Sequence, residues 1–416
     1  MNTDYSIPDT TRALLARGVV MPSPEAVWVD DSVMPERIAR GVVLHPATRL
    51  TGDATSIGPD SVVGKEGPAV LDSCQLGHGV SFKGGYACGG VFLDGAEMGL
   101  GAHVRSGTVL EEQAGGAHTV GFKQTILLAY VTTGSLINFC DCLMAGGTSR
   151  KNHSEVGSSY IHFNFTPHSD KATPSLIGDV PRGVLLDQPP IFLGGQGGLV
   201  GPARIAYGVV IAAGTIQRKD ALEAGCLYAG PTRSGARAPK PYPLGQYGAV
   251  NRLVRNNLIY FGNIQALQVW YRHVRVRFMR PDPFREACRL GAIQQMDTIL
   301  KERLKRLQDL ADKMPASIAA LKSGADAQQA EPLIRQQERF AAQWPAVRDA
   351  LKHPLKEPVG EGPRTRFLAE WEKTGADTHI EAVRALSPDA KAAATAWMQA
   401  IVDRSAGLFD ANMADA

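Results

Sequence analysis

Three histidines lie in one polar stretch of the chain, residues 145–175, and an imidazole there could act as a general base. They are His153, His162 and His168, and imidazole titrates near neutral pH, which suits proton transfer. His162 stands two residues before Asn164, so an extended chain would direct both side chains to the same strand face. For each histidine taken singly, a surface loop position is the alternative interpretation.

Two cysteines, Cys140 and Cys142, precede these histidines as a C-x-C pair. Thiolates and imidazoles ligate zinc, but this spacing matches no common zinc motif, and we predict no metal site. Residues two apart in a strand share a face, so we expect both thiols inside a coil or side by side on the surface. The chain's six cysteines are scattered, which indicates reduced thiols and a cytoplasmic protein.

A basic segment, residues 224–281, contains no Asp or Glu. Its nine cationic residues are Arg233, Arg237, Lys240, Arg252, Arg255, Arg272, Arg275, Arg277 and Arg280. Guanidinium groups bind phosphate through paired hydrogen bonds, and a basic segment can also bind an acidic partner or nucleic acid. No recognised RNA-binding module frames the segment, so we favour a small phosphate ligand or an acidic partner subunit.

Six-residue repeats dominate the elements that must position these side chains. One run of four units reads FLDGAE, MGLGAH, VRSGTV and LEEQAG, and a second reads LGGQGG, LVGPAR, IAYGVV and IAAGTI. The units open on Phe92, Met98, Val104, Leu110, Leu193, Leu199, Ile205 and Ile211, and seven of the eight fifth places hold Ala, Val or Thr. Residues 113–135 and 145–175 are less regular, and we expect loops there.

Such repeats predict a left-handed parallel β-helix. Each unit supplies a short strand with its opener inward, and a corner then turns the chain, so three units close a triangular coil of about 18 residues. An ordinary β-sandwich is the alternative, but a sandwich does not require a fixed period.

Helical periodicity replaces the repeats after residue 250. Apolar residues recur at three- to five-residue steps over 251–279 and 284–313, and further helices fit 328–352, 364–374 and 379–404. We therefore predict a helical lead-in (1–25), a β-helix (26–228), a Gly/Pro-rich basic linker (229–250) and an α-helical region (251–416). The chain has no run of 18 apolar residues and no secretory signal, so we expect no membrane association.

Residues 10–230 resemble the acetyltransferase domain of the bifunctional N-acetylglucosamine-1-phosphate uridyltransferase and glucosamine-1-phosphate acetyltransferase. The resemblance begins at LLARGVVMPSPEAVWVDDSV (14–33) and is clearest over 120–220. It implies a left-handed β-helix that forms homotrimers, takes acetyl-CoA as the acyl donor and acts on a sugar phosphate or nucleotide sugar. We expect no uridyltransferase domain, and the helices after residue 250 have no counterpart in the family.

When the family's motifs are matched to this sequence, the resemblance implies acceptor-binding roles for three places. They are Lys123 in VGFKQ, the pair Asn164 and Phe165, and Lys171 before SLIGD. It likewise implies cofactor contacts at Gly195 and near Ala213, with Arg233 beside the phosphates of acetyl-CoA.

The family's catalytic histidine and its tyrosine fall on Ser135 and Asn138 in GSLINFCD. An amine that attacks a thioester must lose a proton, and serine alone cannot take it. We therefore predict an acyltransferase with His162 as the substitute base. The alternative is a non-catalytic nucleotide-sugar-binding or scaffolding β-helix that has lost the base.

Overall fold

The structure, a computed structural model, describes residues 7–230, 242–324, 327–352 and 359–409. The first half of the chain is a left-handed parallel β-helix of about eleven turns, and helices follow it. The predicted fold class is therefore confirmed. The predicted linker, 229–250, falls partly on residues 231–241, which lie outside the described residues.

Short parallel strands stack from coil to coil along three faces of the β-helix. Face 1 consists of β1 (Trp28–Val29), β3 (Thr48–Thr51), β6 (Ala69–Asp72), β9 (Gly85–Cys88), β12 (Ala102–Val104), the first halves of β15 (Gly121–Leu127) and β17 (Asn138–Met144), β21 (Ile161–Phe163), β24 (Gly198–Val200) and β27 (Ile216–Gln217). Face 2 consists of β4 (Ser56–Ile57), β7 (Gln75–Leu76), β10 (Gly90–Phe92), β13 (Thr108–Leu110), the second halves of β15 and β17, β22 (Ser175–Ile177) and β25 (Arg204–Ile205). Face 3 consists of β2 (Val43–Leu44), β5 (Val62–Val63), β8 (Ser81–Phe82), β11 (Glu97–Met98), β14 (Gly115–Gly116), β16 (Thr132–Thr133), β20 (Glu155–Val156), β23 (Phe192–Leu193), β26 (Val210–Ile211) and β28 (Leu227–Tyr228).

The interior of the coils follows the phase of the repeats. All eight openers are buried, and so are the small residues at the fifth places, among them Ala96, Ala114 and Ala203. Phe92 pairs with Leu110 in the next coil, which is the predicted step of one coil. Apolar ladders of this kind exclude water from a narrow core, and burial of each large side chain contributes roughly 1.5–3 kcal/mol.

Two excursions interrupt the coils within the polar stretch. A hairpin of β18 (Gly147–Ser149) and β19 (Asn152–His153) leaves between face 2 and face 3, and residues 164–174 leave between face 1 and face 2. A third excursion, around the short helix α2 (Val180–Gly183), was not predicted. The loop expected at 113–135 is absent from the structure, because β14, β15 and β16 continue the coils with a step that is one residue shorter than usual.

The helices pack alongside the β-helix. They are α1 (Asp9–Ala16) at the start and, after the coils, α3 (Asn251–His273), α4 (Val276–Met279), α5 (Pro283–Lys322), α6 (Glu331–Lys352), α7 (Glu361–Trp371), α8 (His379–Ala385) and α9 (Pro388–Ala406). We call α3 to α9 the helical region. The helix predicted over 379–404 is divided in two, because the Ser387 side chain accepts from Ala390 N–H to cap a new helix and Pro388 occupies its first turn.

Helix α5 packs against face 2 at β4, β7, β10 and β13, and α3 packs against the same face at β22. Gly291 allows the closest approach, because a Cβ atom there would lie 2.1 Å from Gln75 Oε1. One turn further on, Gln295 Oε1 accepts a hydrogen bond from Gly107 N–H at 2.7 Å. None of the helices in the described ranges is long and apolar enough to cross a membrane.

Buried ion pairs join the helical region to the coils and account for part of the basic segment. Arg275 is 2% exposed and pairs with Glu111 at 2.8 Å and Glu112 at 2.6 Å. Arg277 donates to the backbone of Trp371 and to Thr374. The sequence suggested a phosphate ligand or an acidic partner subunit for this segment, whereas for these two arginines the partners lie within the same chain.

Candidate functional site

Two cations are stacked on the outer surface of face 1. Val104 pairs with Phe122 in the next coil, so Arg105 stands directly before Lys123 in the stack, at the usual strand spacing of about 4.8 Å. Lys123 is in turn paired with Cys140. Neither Arg105 nor Lys123 has an ion-pair partner among the described residues, so both charges are available to an anion.

Lys171 joins these two cations from the excursion 164–174. Its Nζ lies 5.7 Å from the ring centroid of Phe165, which is 60% exposed. Burial raises the pKa of the Cys140 thiol, and nearby Asp141 adds to that rise, whereas Lys123, Lys171 and Arg105 act in the opposite direction. Arg303 of α5 bonds both to the carbonyl of Lys171 and to Asp141, which follows Cys140, so Lys171 lies near the other two cations. We call Arg105, Lys123 and Lys171 the cation cluster.

Asn164 is held beside the cation cluster by a carboxylate. Its Nδ2 donates a hydrogen bond to Asp141 Oδ2 at 2.9 Å, and Asp141 Oδ1 accepts one from Arg303 of α5 at 2.7 Å. The structure thus brings together the four residues that the sequence assigned to the acceptor, Lys123, Asn164, Phe165 and Lys171. It adds Arg105, which the sequence reasoning missed although it stands one full coil before Lys123.

His162 lies inside the β-helix rather than on a loop. Its neighbours Ile161 and Phe163 point outward, so His162 points inward and is 3% exposed. Its Nδ1 donates to the carbonyl of Cys140 at 2.5 Å, which leaves Nε2 to accept from Ser175 Oγ at 2.8 Å. Burial lowers the pKa of His162 to about 4. A buried imidazole with both nitrogens occupied is badly placed to act as the base, so this position does not favour the role predicted from the sequence.

Ser135, at the family's histidine position, is paired with a different histidine. Its Oγ lies 2.8 Å from Nδ1 of His118, which sits one coil earlier at the corner between face 3 and face 1. His118 is exposed, and the ring's Nε2 has no hydrogen-bond partner among the described residues. Ser158 Oγ accepts from the backbone N–H of Ser135 at 3.2 Å and fixes this corner. Sequence reasoning missed His118 because the coil step here is one residue shorter than the regular repeat.

The residues assigned to the cofactor occupy the same corner in later coils. A Cβ atom at Gly195 would lie 2.8 Å from the carbonyl oxygen of Ser158, and one at Gly194 would lie 2.3 Å from the backbone nitrogen of Ala213. Close coil stacking therefore requires small residues at Gly194 and Gly195. Arg233 lies outside the described residues. Gly195 and Ala213 are separated from the cation cluster by the width of face 1.

Asp141 turns the chain at the corner between face 1 and face 2, with φ of 61°. Cys140 is consequently half-buried on face 1, whereas Cys142 is buried in the core. The expectation that the two thiols share a face is wrong because the corner falls between them. Within the described ranges, no group of three or more His, Cys, Asp or Glu side chains is placed to hold a metal ion.

Stacked hexapeptide coils with polar residues along one face define a hexapeptide-repeat β-helix domain, and the resemblance found in the sequence is confirmed at that level. Curated relatives named "Bifunctional protein GlmU" match this chain. The protein from Geotalea uraniireducens is 26% identical over 211 residues, which is 50% of this chain and 41% of that protein. The one from Pseudarthrobacter chlorophenolicus is 29% identical over 219 residues, 52% of this chain and 39% of that protein. The matched part is about two fifths of the length of these two relatives.

A solved structure of LpxA from Acinetobacter baumannii is also similar to part of the chain. It is 14% identical, covers 67% of this chain and 97% of its own, and superposes with a TM-score of 0.22. No protein-family model matches the chain.

Proposed function

We propose that the β-helix is an acyltransferase that transfers an acyl group from a thioester donor, acetyl-CoA in the first instance, to a sugar phosphate or nucleotide sugar. The observation that carries the proposal is the hydrogen bond between Ser135 and His118, which supplies an imidazole where the resembling family has its histidine. The similarity to the GlmU proteins, limited to about half of the chain, supports the same class of reaction.

The cation cluster would bind the phosphate of the acceptor. Arg105, Lys123 and Lys171 carry three positive charges without acid partners among the described residues, and guanidinium and ammonium groups both bind phosphate oxygens. Asn164 and the exposed ring of Phe165 would contact the sugar. His118 lies five residues before Lys123, so the two are at most about 17 Å apart along face 1.

His118 would act as the base. With Nδ1–H donated to Ser135 Oγ, Nε2 keeps a free lone pair that can take a proton from the attacking amine or hydroxyl. The nucleophile then forms a bond to the thioester carbonyl, the carbon–sulfur bond breaks, and the imidazolium returns the proton to the leaving thiolate. Gly195 and Ala213, which lie at the same corner in later coils, would lie along the donor.

The competing proposal is a nucleotide-sugar-binding or scaffolding β-helix without catalysis. It rests on Ser135 and Asn138 at positions where the family has histidine and tyrosine. It predicts the same binding by the cation cluster but no role for His118, so the two proposals differ in whether thioester is consumed.

We further propose a cytoplasmic homotrimer that does not bind nucleic acid, in which the exposed faces 1 and 3 are available for contacts between copies. Face 2 packs against α5 and α3 and is unavailable for such contacts. A monomeric mass in light scattering at micromolar concentration would contradict the trimer.

Thiol release from acetyl-CoA, measured with glucosamine 1-phosphate and with UDP-linked amino sugars as acceptors, tests the acyltransferase directly. Calorimetry with acetyl-CoA and with UDP-N-acetylglucosamine accompanies it. Turnover that depends on the acceptor supports transfer. Sugar-nucleotide binding without turnover supports the binding protein. The absence of both eliminates the acyltransferase and the binding protein and leaves the scaffolding role.

A further inference from the structure

The excursion that carries Asn164 and Lys171 is held in place by the helical region. Five side chains outside the β-helix bond to it: Arg303 Nη1 to Lys171 O at 3.0 Å, Asn257 Nδ2 to Ala172 O at 3.0 Å, Lys313 Nζ to His168 O at 2.7 Å, Tyr247 O–H to Asp170 Oδ2 at 3.1 Å, and Tyr242 Oη, which lies 2.9 Å from His168 Nε2. These bonds come from α3, α5 and the segment just before α3, and most end on backbone carbonyls. They therefore fix the path of the loop rather than single side chains.

Arg303 occupies the centre of these contacts. It is 1% exposed, and its ion pair with Asp141, itself 6% exposed, is 2.7 Å long. The same guanidinium reaches Gln124 Oε1 at 3.4 Å and the carbonyl of Lys171. One residue of the helical region thus touches the corner of face 1 and the loop that approaches it.

Asp141 links Arg303 to Asn164, because its carboxylate accepts hydrogen bonds from both side chains. An ionised carboxylate only accepts hydrogen bonds, so Asp141 Oδ2 requires the Nδ2 side of the Asn164 amide to face it, as observed at 2.9 Å. The Oδ1 atom of Asn164 then points away from Asp141 and has no hydrogen-bond donor among the described residues. The amide is therefore presented as an acceptor.

We infer that the helical region completes the acceptor site, with Arg303 as a positioning residue that acts through Asp141 to fix Asn164 and Lys171, and that Asn164 Oδ1 binds a hydrogen-bond donor of the acceptor, a hydroxyl or an amine. The identity of the ligand rests on the proposed function. The positioning of Asn164 and Lys171 by Arg303 does not.

A second cation on α5 serves as a matched control. It separates positioning of the loop by Arg303 from the general packing of α5 on the β-helix. Arg285 of α5 also pairs with the β-helix, through Asp94 at 2.8 Å, but it lies five helical turns from Arg303, about 27 Å along the helix, and touches no residue of the loop. Amide hydrogen exchange of residues 164–174 is compared in Arg303→Met and Arg285→Met. We expect exchange in this segment to rise at least tenfold in Arg303→Met and to stay unchanged in Arg285→Met. Equal protection of the segment in both variants would overturn the inference.

A double variant keeps the test valid if Arg303→Met alone fails to fold. Replacing both partners, Asp141→Gly with Arg303→Met, removes the buried charges together, and glycine accepts the φ of 61° at this corner, so we expect the variant to fold. We expect this variant to melt like the wild type but to bind UDP-N-acetylglucosamine at least tenfold more weakly in calorimetry. Unchanged affinity in a folded double variant would refute the role of Arg303. Failure of the wild-type protein to bind the nucleotide sugar would instead refute the proposed function, while the exchange experiment would still decide the positioning.

Discussion

Ser135 Oγ and His118 Nδ1 are 2.8 Å apart although their residues belong to different coils of the chain. The contact exists because each coil of the β-helix returns to the same corner, so a side chain lost from one coil can be supplied by the coil before it. A hydrogen bond to one ring nitrogen fixes the tautomer and orientation of an imidazole and leaves the other nitrogen for proton transfer.

Replacing His118 with Ala should lower acyl transfer by roughly 10²–10⁴-fold, the usual effect of losing a general base. Binding of UDP-N-acetylglucosamine should change little, because the cation cluster lies at the other edge of face 1. Thiol-release kinetics and calorimetry measure the two quantities. His153→Ala, on the β18–β19 hairpin, is the control, and an equal loss of rate in both variants would remove His118 from the mechanism.

Replacing Arg105 with Ala should weaken binding of an anionic acceptor by about tenfold and make binding less sensitive to salt, because a charge-assisted contact to phosphate is lost. Arg49→Ala is the matched control, since Arg49 is also on face 1 but stacks on Trp28 several coils away. Calorimetry at two salt concentrations gives both quantities. If Arg49→Ala weakens binding equally, the anion responds to the overall charge of the protein and not to a specific site at Arg105.

His162 should make the protein less stable in mild acid. Its pKa is about 4 in the folded state and 6.5 ordinarily, so below pH 6.5 the unfolded chain binds the extra proton first. Stability is therefore complete above pH 6.5 and falls between pH 6.5 and 4, by up to about 3 kcal/mol from this residue. Denaturant unfolding at several pH values measures it. His162→Gln can keep both hydrogen bonds without titrating, and an undiminished pH slope in that variant would contradict the assignment.

Gly291→Ala should destabilise the protein by roughly 1–3 kcal/mol, because its Cβ would meet Gln75, whose amide is held by the carbonyls of Ala54 and Ser73. Gly362→Ala is the opposite case, since no atom lies within 4 Å of its Cβ position in α7. There the substitution should stabilise by up to about 1 kcal/mol through helix propensity. Thermal unfolding compares the two, and equal shifts would show that α5 does not pack on face 2 as described.

Much of the β-helix could be predicted because its determinants are local. Openers such as Phe92 and Leu199 recur at a fixed step, and that step alone specifies which side chains point inward. The inward position of His162 follows from the same alternation, since Ile161 and Phe163 point outward, but the polar composition around it suggested a loop.

The candidate site could be predicted only in part because it depends on register and on distant packing. Arg105 stands one regular coil before Lys123 and could have been found by counting. By contrast, the coil step that leads to Ser135 is shorter than the regular step, and the step that follows it is longer. The repeat period therefore does not predict which residues lie side by side there. Arg303 reaches Asp141 from a helix far along the chain, and its role is set by how α5 packs.

The position of the helices along face 2 has a consequence for how the chain folds. Neighbouring coils are joined by contacts a single coil apart in the sequence, whereas Tyr271 meets Glu111 and Cys288 meets Phe92 from the opposite half of the chain. Contacts between residues close in sequence form faster than distant ones. We expect the coils to assemble first, with face 2 transiently bare, and pulse-labelled exchange should show amides of β7 and β10 protected before those of α5. During synthesis, that bare face is where a chaperone would bind or where two nascent chains would aggregate.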